Sequence, residues 1–193
     1  MHILFVCTGN TCRSPMAEAM FRRIAEEQQL DAEVRSAGVS AWDGSAISEQ
    51  SRTVLERKGI RATMQSTALR GDLVDWADLI LTMTMNHKNA IIRMFPHALD
   101  KTHTLKEYVM DFGDAASDTL AEKQALAADI QLKQALSQPA AEEMRRLAEL
   151  ERSGPGLDVA DPFGGPLHLY ERTAEEIEAE LYKLARKIKL QNG

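Results

Sequence analysis

The sequence predicts an α/β protein built from parallel βαβ units, with a helical insertion late in the chain. Apolar runs at Ile3–Val6 and Asp78–Met83, and short strand-like segments around Val34 and at Lys101–Leu105, alternate with longer segments of helical periodicity. That alternation is the pattern of parallel strands joined by crossover helices. The first run turns through Gly9 and Asn10 and reaches Ser14-Pro15, the signal of a helix starting directly after a strand. From about residue 111 to about 157 the chain becomes rich in Ala, Leu, Gln, Glu and Lys, which are strong helix formers.

Each element follows from its local pattern. Ile3–Val6 is an unbroken apolar run and reads as a buried strand. After the turn, Met16, Ala17, Met20, Phe21, Ile24 and Ala25 recur at helical spacing, while Arg22, Arg23, Glu26 and Glu27 take the opposite face. A short strand around Val34 ends in Ser36-Ala37-Gly38. Trp42-Asp43-Gly44 is a turn, with Trp42 either a wall of a cleft or an edge residue. A helix carrying Ile47, Ser51, Val54 and Leu55 inward closes at Lys58-Gly59, a basic last turn before a glycine cap. Residues 62 to 72 read as a loop, and Leu73, Val74, Trp76 and Ala77 lead into the third strand, Asp78–Met83. A helix from about Asn86 to Met94 ends at Phe95-Pro96, before a fourth strand at Lys101–Leu105.

In the insertion, Leu126, Ile130, Leu132 and Leu136 mark one helix, Pro139 breaks it, and Met144, Leu147 and Leu150 mark a second. Ser153-Gly154-Pro155-Gly156 ends the hairpin. Such an insertion is either a stabilising loop addition or a lid or docking surface for protein substrates. The last helix runs from about Leu169 to Leu190, with Thr173, Ile177, Leu181, Leu184 and Ile188 as its buried stripe.

Composition narrows the class. A net charge of −6 gives no support for nucleic-acid binding or for a polybasic membrane surface. No stretch approaches the ~20 apolar residues of a membrane span. The N-terminal run lacks the cationic start and the length of a signal peptide. The two cysteines share one loop, which suits a reducing cytoplasm rather than a disulfide framework. His2, His87, His97, His103 and His168 show no metal-ligand spacing and read as structural or surface residues. The expectation is one domain over residues 1–193, with no metal and no cofactor.

The chemistry concentrates between the first strand and the first helix. Cys7 falls where the strand ends, Arg13 where the helix begins, and Thr8, Gly9, Asn10, Thr11 and Cys12 form the loop between them. Backbone N–H groups of such a loop converge on one point at a helix N-terminus, a natural phosphate site. A thiolate is the nucleophilic form of cysteine, and a helix N-terminus with a nearby Arg favours it. Arg presents a rigid fork that grips two phosphate oxygens. Ser14 is placed to donate a hydrogen bond to the thiolate. Strand order and motif agree, because ligands of parallel sheets lie beyond the carboxyl ends of the strands.

Cys7-Thr8-Gly9-Asn10-Thr11-Cys12-Arg13-Ser14-Pro15 is similar to the signature loop of the low-molecular-weight protein tyrosine phosphatase family, and resembles most its protein arginine phosphatase branch. The resemblance implies a doubly wound three-layer α/β domain with a small four-stranded parallel sheet. It implies hydrolysis through a phosphocysteine on Cys7. It carries the general-acid role onto Asp161 of Asp161-Pro162-Phe163-Gly164-Gly165, and a role supporting the loop onto Ser36. A histidine that the family often places within 62–72 is replaced here, Met64 or Gln65 standing near its position.

Substrate class rests on two positions. Tyrosine-directed members carry a larger aliphatic residue where this chain has Thr11, and two aromatic residues where it has Phe163 and Gly164. A hydroxyl at Thr11 and a single aromatic at Phe163 suit a flat guanidinium better than a phenyl ring. Phosphoarginine on proteins is the expected substrate, and phosphotyrosine the alternative. A thioredoxin-coupled arsenate reductase shares the fold but needs cysteines beyond Cys7 and Cys12. Cys12, five residues from Cys7, is expected to form a reversible protective disulfide with it.

Overall fold

The computed structural model describes residues 1–61, 63–110, 115–136, 138–153 and 156–192. Four strands, β1 (His2–Cys7), β2 (Glu33–Gly38), β3 (Leu79–Thr82) and β4 (Thr102–Thr104), form one parallel sheet in the order β2-β1-β3-β4. In register, Cys7 lies opposite Gly38 and Val6 opposite Thr82. The alternation of β1 divides the core. Ile3, Phe5 and Cys7 pack with residues of α1 (Arg13–Glu27), α2 (Glu49–Arg57), α5 (Leu105–Val109) and α8 (Leu167–Asn192). Leu4 and Val6 pack with residues of α3 (Gly71–Trp76) and α4 (Met85–Met94). Cover on both faces explains the continuous apolar runs and gives the three-layer doubly wound arrangement.

The chain leaves β1 for β2 on one side, then recrosses to β3 on the other. Strand order therefore reverses at β1. That reversal opens a crevice beyond its carboxyl end, where Cys7 lies.

The stripe of α8 is buried throughout: Thr173, Ile177, Leu181, Leu184 and Ile188 all lie in the interior. Glu178 of α8 ties the layer together, meeting Arg23 of α1 at 3.0 Å and Lys58 at 2.6 Å.

Several details depart from the sequence expectation. The first helix starts at Arg13, where the sequence places it, with Cys12 as its N-cap, and Pro15 falls third, inside the first turn. It is still tolerated, because the first-turn amides have no intrahelical partner. The segment 71–76 is a separate helix, α3, too short to show periodicity. A 3-10 turn at Pro96–Lys101 and the short α5 flank β4.

The chain divides into two compact units, Met1–Val109 with Leu157–Gly193, and Met110–Gly156. The second unit contains α6 (Ala115–Ala135) and α7 (Ala141–Ser153). These pack on one another with Ile130, Ala140 and Leu150 buried, and are linked by Lys133–Glu143 at 2.5 Å and Arg146–Glu122 at 2.8 Å. Leu132, Leu136 and Met144 are exposed despite their helical spacing. The insertion's expected start at Asp111, and Gly154 and Pro155 of its expected stop, lie outside the described residues.

Candidate active site

The loop between Cys7 and Arg13 is shaped by its neighbours. Cys7 O accepts from Val39 N at 3.0 Å, Thr8 O from Ser40 N at 2.9 Å and Thr11 O from Ser48 N at 2.8 Å. With those carbonyls engaged, the amides of Gly9, Asn10, Thr11 and Cys12 donate to no protein acceptor among the described residues. Open donors of this kind form an anion-binding nest. Gly38 permits the close approach: a Cβ there would lie 2.5 Å from Thr8 O and 2.8 Å from Asn10 N.

Asn10 is the keystone of the loop. It is fully buried with φ of 52°, a left-handed conformation that Asn tolerates better than most residues. Its Nδ2 donates to Ser14 Oγ and to Ser36 Oγ, each at 2.8 Å, and its Oδ1 accepts from Thr67 N at 2.7 Å. Ser36 Oγ in turn donates to Glu18 Oε2 at 2.5 Å. Burial pushes the Glu18 carboxyl above its ordinary pKa, opposed by the Ser36 hydrogen bond. Ser14 Oγ accepts from Asn10, and its one hydrogen has two acceptors within reach, Cys7 Sγ at 3.0 Å and Ala37 O at the longer 3.4 Å.

Arg13 is buried. Its Nη1 donates to Val159 O at 3.2 Å and its Nη2 to Asp161 Oδ2 at 2.7 Å. The loop carrying Asp161 is held in place by Val159 N on Met83 O at 2.8 Å, and by Met85 N on Asp158 Oδ1 at 2.8 Å. A cavity of about 230 Å³ is lined by Cys7, Thr8, Gly9, Thr11, Cys12, Arg13, Asp161 and Phe163. Phe163 is 78% exposed, as a residue at a rim would be.

The sequence-predicted residues therefore come together. Eight line the cavity, while Asn10, Ser14 and Ser36 form the hydrogen-bonded support beneath the loop. Trp42 is exposed and is not among the cavity's lining residues. Both cysteines are free thiols. Cys12 Sγ lies 3.6 Å from Tyr170 Oη and 3.6 Å from Ser48 Oγ. Burial, then the contact with Cys12, pushes the Tyr170 hydroxyl up to about 12.

Tyr170, Glu18 and His87 were not legible as site residues. His87 Nε2 lies 2.8 Å from Thr8 Oγ1. The ring is held neutral, its pKa lowered to about 4 chiefly by burial and then by Arg13, against Asp161 and Asp158. Among the described residues, no group of three His, Cys, Asp or Glu side chains is placed to hold a metal ion. No helix among them is long and apolar enough to cross a membrane.

A sequence profile described as "Low molecular weight phosphotyrosine protein phosphatase" matches residues 2–124. The chain belongs to this family. It is 38% identical over 187 residues to a protein-arginine-phosphatase of Geobacillus stearothermophilus, covering 96% of this chain and 95% of that protein. It is 36% identical over 189 residues to the protein-arginine-phosphatase of Bacillus subtilis, covering 98% and 97%. Among solved structures, one similar chain is the YwlE arginine phosphatase in a cysteine-to-serine form with a phosphorylated active-site serine. Its TM-score is 0.74 at 36% identity, covering 98% of this chain and 96% of that one.

Proposed function

We propose that this chain is a hydrolase, a protein arginine phosphatase that works through a phosphocysteine. The observation that carries this reading is the single cavity holding Cys7, Arg13, Asp161 and Thr11 together. The arginine phosphatase relatives, similar over nearly the whole chain, support the same substrate.

The chemistry follows from the residues. Incoming phosphate meets the open loop amides and displaces Asp161 from the Arg13 fork. Cys7 Sγ attacks phosphorus in line, the P–N bond breaks, and Asp161 gives its proton to the departing guanidino nitrogen. Water then attacks phosphorus, Asp161 takes its proton, and the S–P bond breaks to release phosphate and free Cys7. Ser14, held by Asn10, steadies the thiolate as leaving group in this second step. The reaction needs no cofactor: Arg13 and the amides supply the charge stabilisation.

Thr11 and Phe163 set the substrate class in this reading. The Thr11 side chain narrows the cavity and adds a hydroxyl, and Phe163 offers one stacking face for a planar guanidinium. We read the chain as one phosphatase domain over residues 1–193, with the insertion at about 111–157, acting on phosphorylated proteins in the cytoplasm. The test is hydrolysis of matched peptides carrying phosphoarginine or phosphotyrosine by wild type and Thr11→Ile. Preference for phosphoarginine that shifts toward phosphotyrosine in the variant supports the reading. Preference of wild type for phosphotyrosine overturns it in favour of the tyrosine-directed alternative.

A further inference from the structure

His87 carries no signal in the sequence beyond its residue type, yet it contacts the phosphate loop. It lies in the first turn of α4, where Thr84 Oγ1 caps the helix by accepting from His87 N at 3.3 Å. Its Nδ1 is 2.9 Å from the same Thr84 Oγ1, and its Nε2 is 2.8 Å from Thr8 Oγ1. A neutral imidazole has one N–H and one lone pair. Thr84, His87 and Thr8 therefore form a chain of hydrogen bonds that runs in one of two senses.

In the first sense, the Thr84 hydroxyl donates to Nδ1 and the Nε2–H donates to Thr8 Oγ1. Every hydrogen of Thr84 and His87 then has an acceptor, and the ring's lone pair faces the positive end of α4. In the second sense, Nδ1–H and the helix amide both donate to Thr84 Oγ1. The Thr84 hydroxyl hydrogen is then left with no protein acceptor among the described residues. Each sense leaves one hydroxyl hydrogen without a protein acceptor, that of Thr8 in the first and that of Thr84 in the second. Thr8 is exposed and Thr84 only partly so, so the first sense leaves the open hydrogen where an incoming anion can take it, and burial keeps the ring neutral as it requires.

We propose that His87 is a positioning residue of the phosphate site: its Nε2–H occupies a lone pair of Thr8 Oγ1 and so turns the Thr8 hydroxyl into a donor toward the phosphoryl oxygens. Thr8 lines the cavity that holds Cys7 and Arg13, and also an adjoining cavity of about 560 Å³ that includes His87 and Asp158. Its hydroxyl has no other partner among the described residues. The hydroxyl therefore adds one side-chain donor to the backbone nest. With the reverse tautomer, Thr8 would donate to His87 and turn only lone pairs toward an anion. This inference rests on the reading of the 230 Å³ cavity as the phosphate site.

The test is calorimetric titration of the full chain with inorganic phosphate, which needs no turnover, alongside kcat and KM on a small aryl phosphate. The variants are Thr8→Val, His87→Leu, His87→Gln and Thr8→Val/His87→Leu. Loss of one donor predicts about tenfold weaker phosphate binding for Thr8→Val and a similar loss for His87→Leu. The double variant should be no weaker than the worse single one, because both changes remove the same hydrogen bond. His87→Gln, whose amide can still donate to Thr8 and accept from Thr84, should lose less than His87→Leu. If His87→Leu does not fold, the Thr8→Val and His87→Gln pair carries the test. Losses that multiply to about a hundredfold in the double variant overturn the proposal, as does wild-type phosphate affinity in Thr8→Val. Coupled phosphate binding without phosphoarginine hydrolysis would refute the substrate reading alone, and phosphoarginine hydrolysis with multiplying losses would refute this inference alone.

Discussion

Replacing Asn10 by Ala removes the support of the phosphate loop in one step. Three hydrogen bonds disappear, to Ser14 Oγ, to Ser36 Oγ and from Thr67 N. At ~1 kcal/mol each, their loss destabilises the protein by ~3 kcal/mol. Alanine at φ of 52° adds a left-handed cost of ~1 kcal/mol, since it lacks the local hydrogen bonding that lets Asn adopt this conformation. The expected loss is ~4 kcal/mol, a large part of the ~5–15 kcal/mol that holds a domain folded. Asn10→Gly removes the same hydrogen bonds but not the backbone freedom, so it should recover ~1 kcal/mol relative to Ala. Urea unfolding at neutral pH, with midpoints compared at constant slope, reads both differences. A loss below ~1 kcal/mol for Asn10→Ala would refute the keystone role. A glycine variant no more stable than the alanine variant would refute the backbone part.

Other substitutions test separate links. Gly38→Ala pushes a methyl group against Thr8 O and Asn10 N, so phosphatase activity should fall sharply, read as kcat/KM on the folded variant. His87, with a folded pKa of about 4 against 6.5 when exposed, binds fewer protons folded than unfolded between these values. Its contribution is therefore fully present above pH 6.5 and is lost as pH falls toward 4. The shift sets a ceiling of ~3 kcal/mol, reduced to ~1–2 by partial solvent screening. Unfolding of wild type and His87→Gln at neutral pH and near pH 4.5 should show that the variant loses this part of the acid sensitivity. Peroxide should convert the Cys7 thiolate to a sulfenic acid, which Cys12 Sγ attacks with loss of water to give a disulfide. Cys12→Ala should therefore lose the recovery of activity by added thiol that wild type shows after peroxide.

The sequence made the fold legible where chemistry and periodicity are local. Cys7, the loop and Arg13 are contiguous, so strand end, turn and helix start are read together. The stripe of α8 spans many turns, and all five of its predicted positions are buried. Asp161 was legible only through the family resemblance, since Asp-Pro alone reads as a turn, and its meeting with Arg13 is a tertiary fact. His87 and Tyr170 reach the loop from 79 and 158 positions away, and no local spacing announces such contacts. Ser36 was expected as support, but its partner Glu18 looks from the sequence like one more charged residue on an amphipathic helix. α3 was missed because six residues are too few to show a helical period.

Cys7 is the nucleophile toward phosphoarginine in this mechanism, and the phosphocysteine is its direct signature. Wild type mixed with a phosphoarginine peptide, quenched in acid within a turnover and digested, should yield the Cys7 peptide heavier by one phosphoryl group. Cys7→Ala should show neither the adduct nor phosphate release. Continued phosphate release by Cys7→Ala, or turnover by wild type with no phosphoryl group on Cys7 at any quench time, would contradict the account.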